Sequence, residues 1–316
     1  MLAAFAKTVG STLIVLLLCS AAVFFAGNLL APGSAVTTLI GAEGATKEQR
    51  EELERRLGLD RPLVVQYASW VTGAARGDFG VSPISNRRAT DVIAQEAPTS
   101  LQLALLVLAL STLTGVPAGV AAAVWAGRWT DYLIRTVALA SLAIPVFVLG
   151  TVFLLMSSAY APDLVAATFV PFSTDPGANL VGLIVPTITA TIPTAAQLMQ
   201  MTRATMLEVL SRPYVTMAYA RGIPRGRIYF VHALKNALPP IITFQGFLLG
   251  ILLGSLFIVE TVFSLPGLAR GLIGSINNRD YVVLMAEVMV IATFFIVGNL
   301  VAELLVAAID PRKRSA

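Results

Sequence analysis

The chain has 316 residues, 56% of them hydrophobic and 13% charged, with a formal net charge of +4. Soluble domains carry about 25% charged residues, so half that share excludes an ordinary water-solvated fold and points to a chain solvated by lipid. A single cysteine, Cys19, excludes a disulfide framework and a cysteine-ligated metal site within the chain; inside an apolar run it reads as a small hydrophobe.

Six runs, 9–30, 100–125, 132–158, 180–201, 241–262 and 282–309, each reach the roughly 20 apolar residues that cross a bilayer. Each is apolar around the whole helix rather than along one stripe, which is the pattern of membrane spans. The expected fold class is an all-α integral membrane protein with six transmembrane helices. The first run follows Lys7 and precedes the small-residue stretch Ala31 to Ala35, a faint likeness to a signal peptide. It is longer than the 7–15 residues of a signal h-region, so an uncleaved anchor is expected.

The segment 31–98 is the one soluble-looking piece. Thr46 can cap a helix with Gln49 three residues on, a capping-box spacing. Glu48, Glu51, Glu52 and Glu54 mix with Arg50, Arg55 and Arg56 as a solvated face, and Gly58 closes the helix. The aromatics and glycines of LGLDRPLVVQYASWVTGAARGDFGVS then predict a packed loop over the mouth of the membrane domain.

Lys and Arg near span ends set orientation. With the N-terminus inside, the inner segments hold Lys7, Arg128, Arg135, six basic residues from Arg203 to Lys235, and Arg312, Lys313 and Arg314. Only Asp131, Glu208 and Asp310 oppose them, and the loop 159–179 has no Lys or Arg. Both termini are expected in the cytoplasm.

Between the fourth and fifth runs lies AYARGIPRGRIYFVHALKNALPP, 218–240, basic and punctuated by glycine. Pro213 suits a first helical turn. Tyr214, Met217, Ala218 and Arg221 then fall on one face, and Gly222 can end the helix in the left-handed conformation. Pro224 starts a second helix through Ile228, Phe230, Val231 and Leu234, expected to end at Pro239-Pro240, where the chain turns into the fifth span. Two readings stand side by side. One is an interfacial helix whose cations meet anionic headgroups. The other is a docking knob, favoured by proline-set starts and a glycine hinge that define one shape.

No catalytic constellation appears, and no G-x-x-x-x-G-K-[ST] phosphate loop exists to cradle ATP. The single histidine, His232, excludes a multi-histidine metal site and reads as a packing residue. Polar residues inside spans are candidates for a path, since buried charge there usually faces protein or water. They are Gln197 and Gln200 in the fourth span, Gln245 in the fifth, and Glu287 and Glu303 in the sixth. Glu303 is expected to pair with a loop arginine; Glu287, near the outer end, is expected to be hydrated at the rim or to meet an amino group. Met199, Met201, Met206, Met285 and Met289 read as core. Pro186 and Pro193 can kink the fourth span. Gly246, Gly250 and Gly254 form a small-residue ridge for packing within the chain or against a second subunit. The halves lack the paired broken spans of inverted-repeat transporters.

Eight segments occur in order: LGLDRPLVVQY (57–67), GDFGVS (77–82), APTSLQLAL (97–105), IPVFVLG (144–150), TRATMLEVLSRPYVTMAYARG (202–222), HALKNALPP (232–240), VETVFSLPGL (259–268) and DPRKR (310–314). Together they resemble the permease subunits of ABC importers, in the dipeptide/oligopeptide permease family, over nearly the whole chain. The resemblance implies that the short helix within 203–238 inserts into a groove on an ATP-hydrolysing subunit. It assigns Tyr214, Met217, Ala218, Arg221, Gly222 and Arg225 to that coupling helix, and Glu260 to an outer gate. One departure is that Thr216 to Ala218 stands where the wider importer signature has a Glu-Ala-Ala triplet.

The implied organisation is a first transmembrane helix (1–30), an external subdomain (31–98), a five-helix permease core with the coupling loop 203–238 (99–311) and a basic tail (312–316). The implied protein is not an enzyme and holds no cofactor itself; ATP and Mg sit on partners. Those partners are a second homologous permease, two ATP-binding subunits, an extracytoplasmic solute-binding protein and membrane lipid, with no nucleic acid. It would move peptides or similar small solutes across the cytoplasmic membrane of a bacterium or archaeon. The alternatives are a self-sufficient ion-coupled carrier or channel using Glu287 or Glu303, and a non-transporting scaffold.

Overall fold

The computed structural model describes residues 2–30, 55, 60–164 and 169–309. The capped helix expected from Thr46, the stretch Ala31 to Ala35 and the tail from Asp310 lie outside the described residues. Among those described, every regular element is helical, and one isolated bridge joins Val81 to Arg88. The helices are α1 (Leu2–Leu30), α2 (Leu63–Ala74), α3 (Ala89–Val124), α4 (Trp129–Ala143), α5 (Val146–Tyr160), α6 (Pro176–Leu210), α7 (Pro213–Ala220), α8 (Leu234–Ser255), α9 (Phe257–Val262), α10 (Leu268–Asn277) and α11 (Tyr281–Ile309). Four helical runs are long and apolar enough to cross a membrane: α3, α6, the run Arg225–Val262, and α11. A fifth is the pair α4 and α5, if it forms one span, and α1 adds a shorter apolar stretch, Ile14–Gly27.

Two expectations are corrected. The third apolar run is not one helix: α4 and α5 meet at 94°. Pro145 has no N–H to continue the ladder and pushes the residue before it out of the helical region. Ile144 accordingly sits at φ −83°, ψ 122°, and Pro145 caps a new helix. The chain also does not turn at Pro239-Pro240, because α8 runs straight through both. The carbonyls those prolines leave without donors belong to Lys235 and Asn236, which are exposed and can be hydrated.

The chain divides into two compact units. The first comprises Leu101–Leu265 with Phe295–Ala316. Its core is built on α6, where Leu198, Met206 and Val209 pack with Val120 of α3 and Ala237, Ile241 and Leu248 of α8. Small residues let α3 approach α6: a Cβ on Gly115 would lie 2.6 Å from the Ala195 carbonyl oxygen, and one on Gly119 2.6 Å from that of Met199. The glycine ridge of α8 is used within this chain at two of its three positions. Gly246 faces Ala302 and Asn299, Gly250 faces the Phe295 ring, and Gly254 has nothing within 4 Å.

A buried ion pair fixes the corner where α3 turns into α4. Asp131, 1% exposed, receives Arg203 Nε and Nη2 at 2.7 Å each and the Gly127 N–H at 3.0 Å. A bidentate guanidinium–carboxylate fork of this kind holds one geometry.

The second unit comprises Leu2–Ser100 with Pro266–Phe294. Ala89 and Ile93 of α3, Leu268 of α10, and Val283 and Ala286 of α11 form its core. The stretch expected as a packed loop instead forms the helix α2, whose aromatics meet α1: Tyr67 and Trp70 lie 5.5 and 6.3 Å from Phe24 between ring centroids, and Tyr67 shares a 2.7 Å hydrogen bond with Ser20. Ser82 of the GDFGVS segment donates to Asp280, which begins α11.

Candidate functional site

The basic segment folds as a shaped hairpin. Arg212 precedes α7, and Pro213 occupies its first turn, as expected. The helix ends in a Schellman arrangement: the Ile223 N–H reaches the Ala218 carbonyl at 3.2 Å and the Gly222 N–H reaches that of Tyr219 at 3.0 Å. This closure needs a left-handed residue, and Gly222 supplies it at φ +72°. Pro224 then caps a helical turn, Arg225–Arg227, that continues as a π-helical turn, Ile228–Ala233, into α8.

Three contacts tie the two arms. Val215 and Ala218 of α7 bury against Ile228, with Ile223 and Tyr229 alongside. Asn236 Nδ2 donates to the Tyr214 hydroxyl at 3.1 Å and to the His232 carbonyl at 2.7 Å. Tyr219 and Tyr229 pair through their hydroxyls; burial, then that hydrogen bond, push the Tyr219 hydroxyl up to about 12, against a smaller opposing pull from Arg225.

The expected face of α7 is covered at one position. Tyr214, Met217 and Arg221 are exposed, whereas Ala218 is buried and packs the hairpin together. The helix is too short for its apolar residues to form one stripe, so the partner arm decides which side is covered. Arg221, Gly222 and Arg225 are exposed, and neither arginine makes an ion pair among the described residues. The hairpin thus presents Tyr214, Met217, Arg221 and Arg225 outward on a braced frame. Residue spacing gives no sign of the Asn236–Tyr214 and Tyr219–Tyr229 braces; only the aromatic content of both arms hints at them.

The path candidates occupy different surroundings. On α6, Gln197 is half-buried, while Gln200 is exposed and lines a pocket of about 170 Å³ with Arg135, Leu139 and Arg203. On α8, Gln245 Nε2 donates to Thr112 Oγ1 at 2.6 Å, so its amide bridges α8 to α3. Glu260 is fully buried, and its carbonyl receives the Leu265 N–H at 2.8 Å. Glu287 departs from its expected hydrated rim: it is 0% exposed. Within the second unit, one Glu287 oxygen and one Glu96 oxygen both fall within 2.7 Å of where a Cβ on Gly271 would stand. A side chain at 271 would displace the carboxyls. Glu303 is exposed on α11. No group of three or more metal-ligating side chains occurs among the described residues.

Comparison with known proteins fits this arrangement. Residues 115–315 match the family described as "Binding-protein-dependent transport system inner membrane component", and residues 1–104 match its companion, "Binding-prot-dependent transport system membrane comp, N-term". The chain is 34% identical over 302 residues to the glutathione transport system permease protein GsiC of Escherichia coli, covering 95% of this chain and 94% of that one. The protein of the same name from Shigella dysenteriae is similar to the same extent, 34% over 302 residues, with the same 95% and 94% covered. A match of this length, through the spans and the hairpin alike, shows that the chain belongs to the binding-protein-dependent transport system inner membrane component family and is a multi-pass permease subunit of an ABC importer in the cytoplasmic membrane.

Proposed function

We propose that this permease translocates di- or oligopeptides, or small solutes of similar chemistry, inward by alternating access driven by ATP on two partner subunits. The relatives' name puts glutathione, itself a tripeptide, among the first solutes to try. In this reading the chain crosses the membrane six times, through α1, α3, the bent pair, α6, the run Arg225–Val262 and α11, with both termini in the cytoplasm. A solute-binding protein delivers the cargo, and a second homologous permease completes the passage. Gln197, Gln200, Gln245, Glu260 and Glu287 are the candidates for path and gate.

The observation that carries the reading is the hairpin. A free amphipathic helix bound to headgroups needs no brace, yet α7 is locked by its glycine closure, by Asn236–Tyr214 and by Tyr219–Tyr229. Its outward arginines carry no partner within the described chain. A rigid, cationic, half-apolar knob transmits a push; a floating one cannot.

Reconstitution with candidate partner subunits in liposomes, measuring ATP-dependent uptake across a panel of peptides, tests this. Arg221→Glu is expected to leave insertion intact and to separate ATP hydrolysis from uptake. Unchanged uptake with that variant removes the docking assignment. Uptake by the purified chain alone under a proton gradient would favour the ion-coupled carrier instead.

A further inference from the structure

Within the first unit, α4 and α6 enclose a polar pocket of about 170 Å³ lined by Arg135, Leu139, Gln200 and Arg203. We infer that this pocket binds the phosphate of an anionic phospholipid headgroup in the leaflet on the hairpin side. The charge balance favours an anion. Arg203 is matched by Asp131, but Arg135 is exposed and forms no ion pair among the described residues, so one positive charge is left over. A phosphodiester carries one negative charge.

The donors suit the same ligand. The fork to Asp131 uses Arg203 Nε and Nη2 and leaves the Nη1 edge. Gln200, exposed on the same side, offers a neutral amide.

Depth decides the source of the phosphate. Trp125, Trp129 and Tyr132 are 43%, 73% and 59% exposed at this end of the helices. Exposed Trp and Tyr gather at the headgroup level of a membrane. Arg135 lies one turn beyond Tyr132 and, at 1.5 Å per residue, about 9 Å along the axis from Trp129, within the reach of a snorkelling arginine. Leu139, which lines the pocket, and its neighbour Val137 are both exposed apolar side chains, as on a flank wetted by acyl chains. Basic pockets between transmembrane helices at such a depth hold anionic headgroups.

The test is native mass spectrometry of the assembled transporter released from phosphatidylcholine membranes containing phosphatidylglycerol. Retained phosphatidylglycerol is expected on this chain, and Arg135→Ala should weaken its retention about fivefold, the loss of one cation near an anionic surface. Arg128→Ala removes the same charge at the same helix end but outside the pocket, and is expected to leave retention unchanged. Equal retention in the Arg135 variant overturns the assignment, and so does an equal loss in the Arg128 variant. Inorganic phosphate is expected not to displace the lipid; displacement by it would make the site one for free phosphate. A change in peptide binding with lipid retention intact would reassign the pocket to the solute path and sink the lipid proposal.

Discussion

Two charged regions of the first unit use their arginines in opposite ways. At the α3–α4 corner, Arg203 is committed to Asp131, which is 1% exposed. In the hairpin, Arg221 and Arg225 stand exposed and form no ion pair among the described residues. Charge that is buried and forked fixes backbone geometry, because separating it strands an ion in a poorly solvating place. Charge left in water contributes little to the fold and stays available for a partner.

The sharpest way to break that contrast is Arg203→Ala. It leaves a buried carboxylate behind and should cost about 3–5 kcal/mol, read as a large drop in thermal unfolding temperature in detergent. Asp131→Asn in the same background should recover part of the loss, since the uncompensated charge is then gone. Next comes Gly222→Ala. A left-handed residue with a Cβ costs about 1–2 kcal/mol, and the hairpin should open locally, with faster amide exchange over 213–224 and little change elsewhere.

Tyr219→Phe is smaller again, about 0.5–1.5 kcal/mol for one hydrogen bond and toward the low end at a partly exposed site. It also has a pH signature. The Tyr219 hydroxyl is raised to about 12 from an ordinary value near 10, so its contribution is whole below about pH 10 and fades as pH climbs toward about 12. Ultraviolet titration should therefore lose one late-ionising tyrosine in the variant. The smallest effect on stability belongs to Arg221→Ala, within about 0.5 kcal/mol. If it destabilises the protein as much as Arg203→Ala does, the hairpin arginines are structural and the contrast collapses.

Much of this was legible from short-range rules. Pro213, Gly222 and Pro224 landed where helix-end chemistry puts them, because each acts on its own neighbours. The apolar runs foretold the long helices for the same reason. Prolines inside those runs were harder. Pro145 breaks a helix and Pro239-Pro240 do not, so the residue type alone does not decide the outcome. What stayed hidden was long-range. Asp131 and Arg203 are 72 positions apart. Glu287 looked like a rim residue until Gly271 and Glu96 closed over it, and Ala218 is covered because Ile228 came from the other arm.

The bend at Ile144 and Pro145 has one more consequence. α4 and α5 have 15 residues each, about 22 Å at 1.5 Å per residue, too short for either to cross a hydrocarbon layer of roughly 30 Å by itself. If the pair forms one span, as proposed above, their junction sits where oil would surround an unsupported peptide. The final carbonyls of one segment and the initial amides of the next lack partners along their own axes, and fatty acyl tails offer none. In that six-span reading, the kink has to be roofed by a neighbouring polypeptide or flooded by solvent.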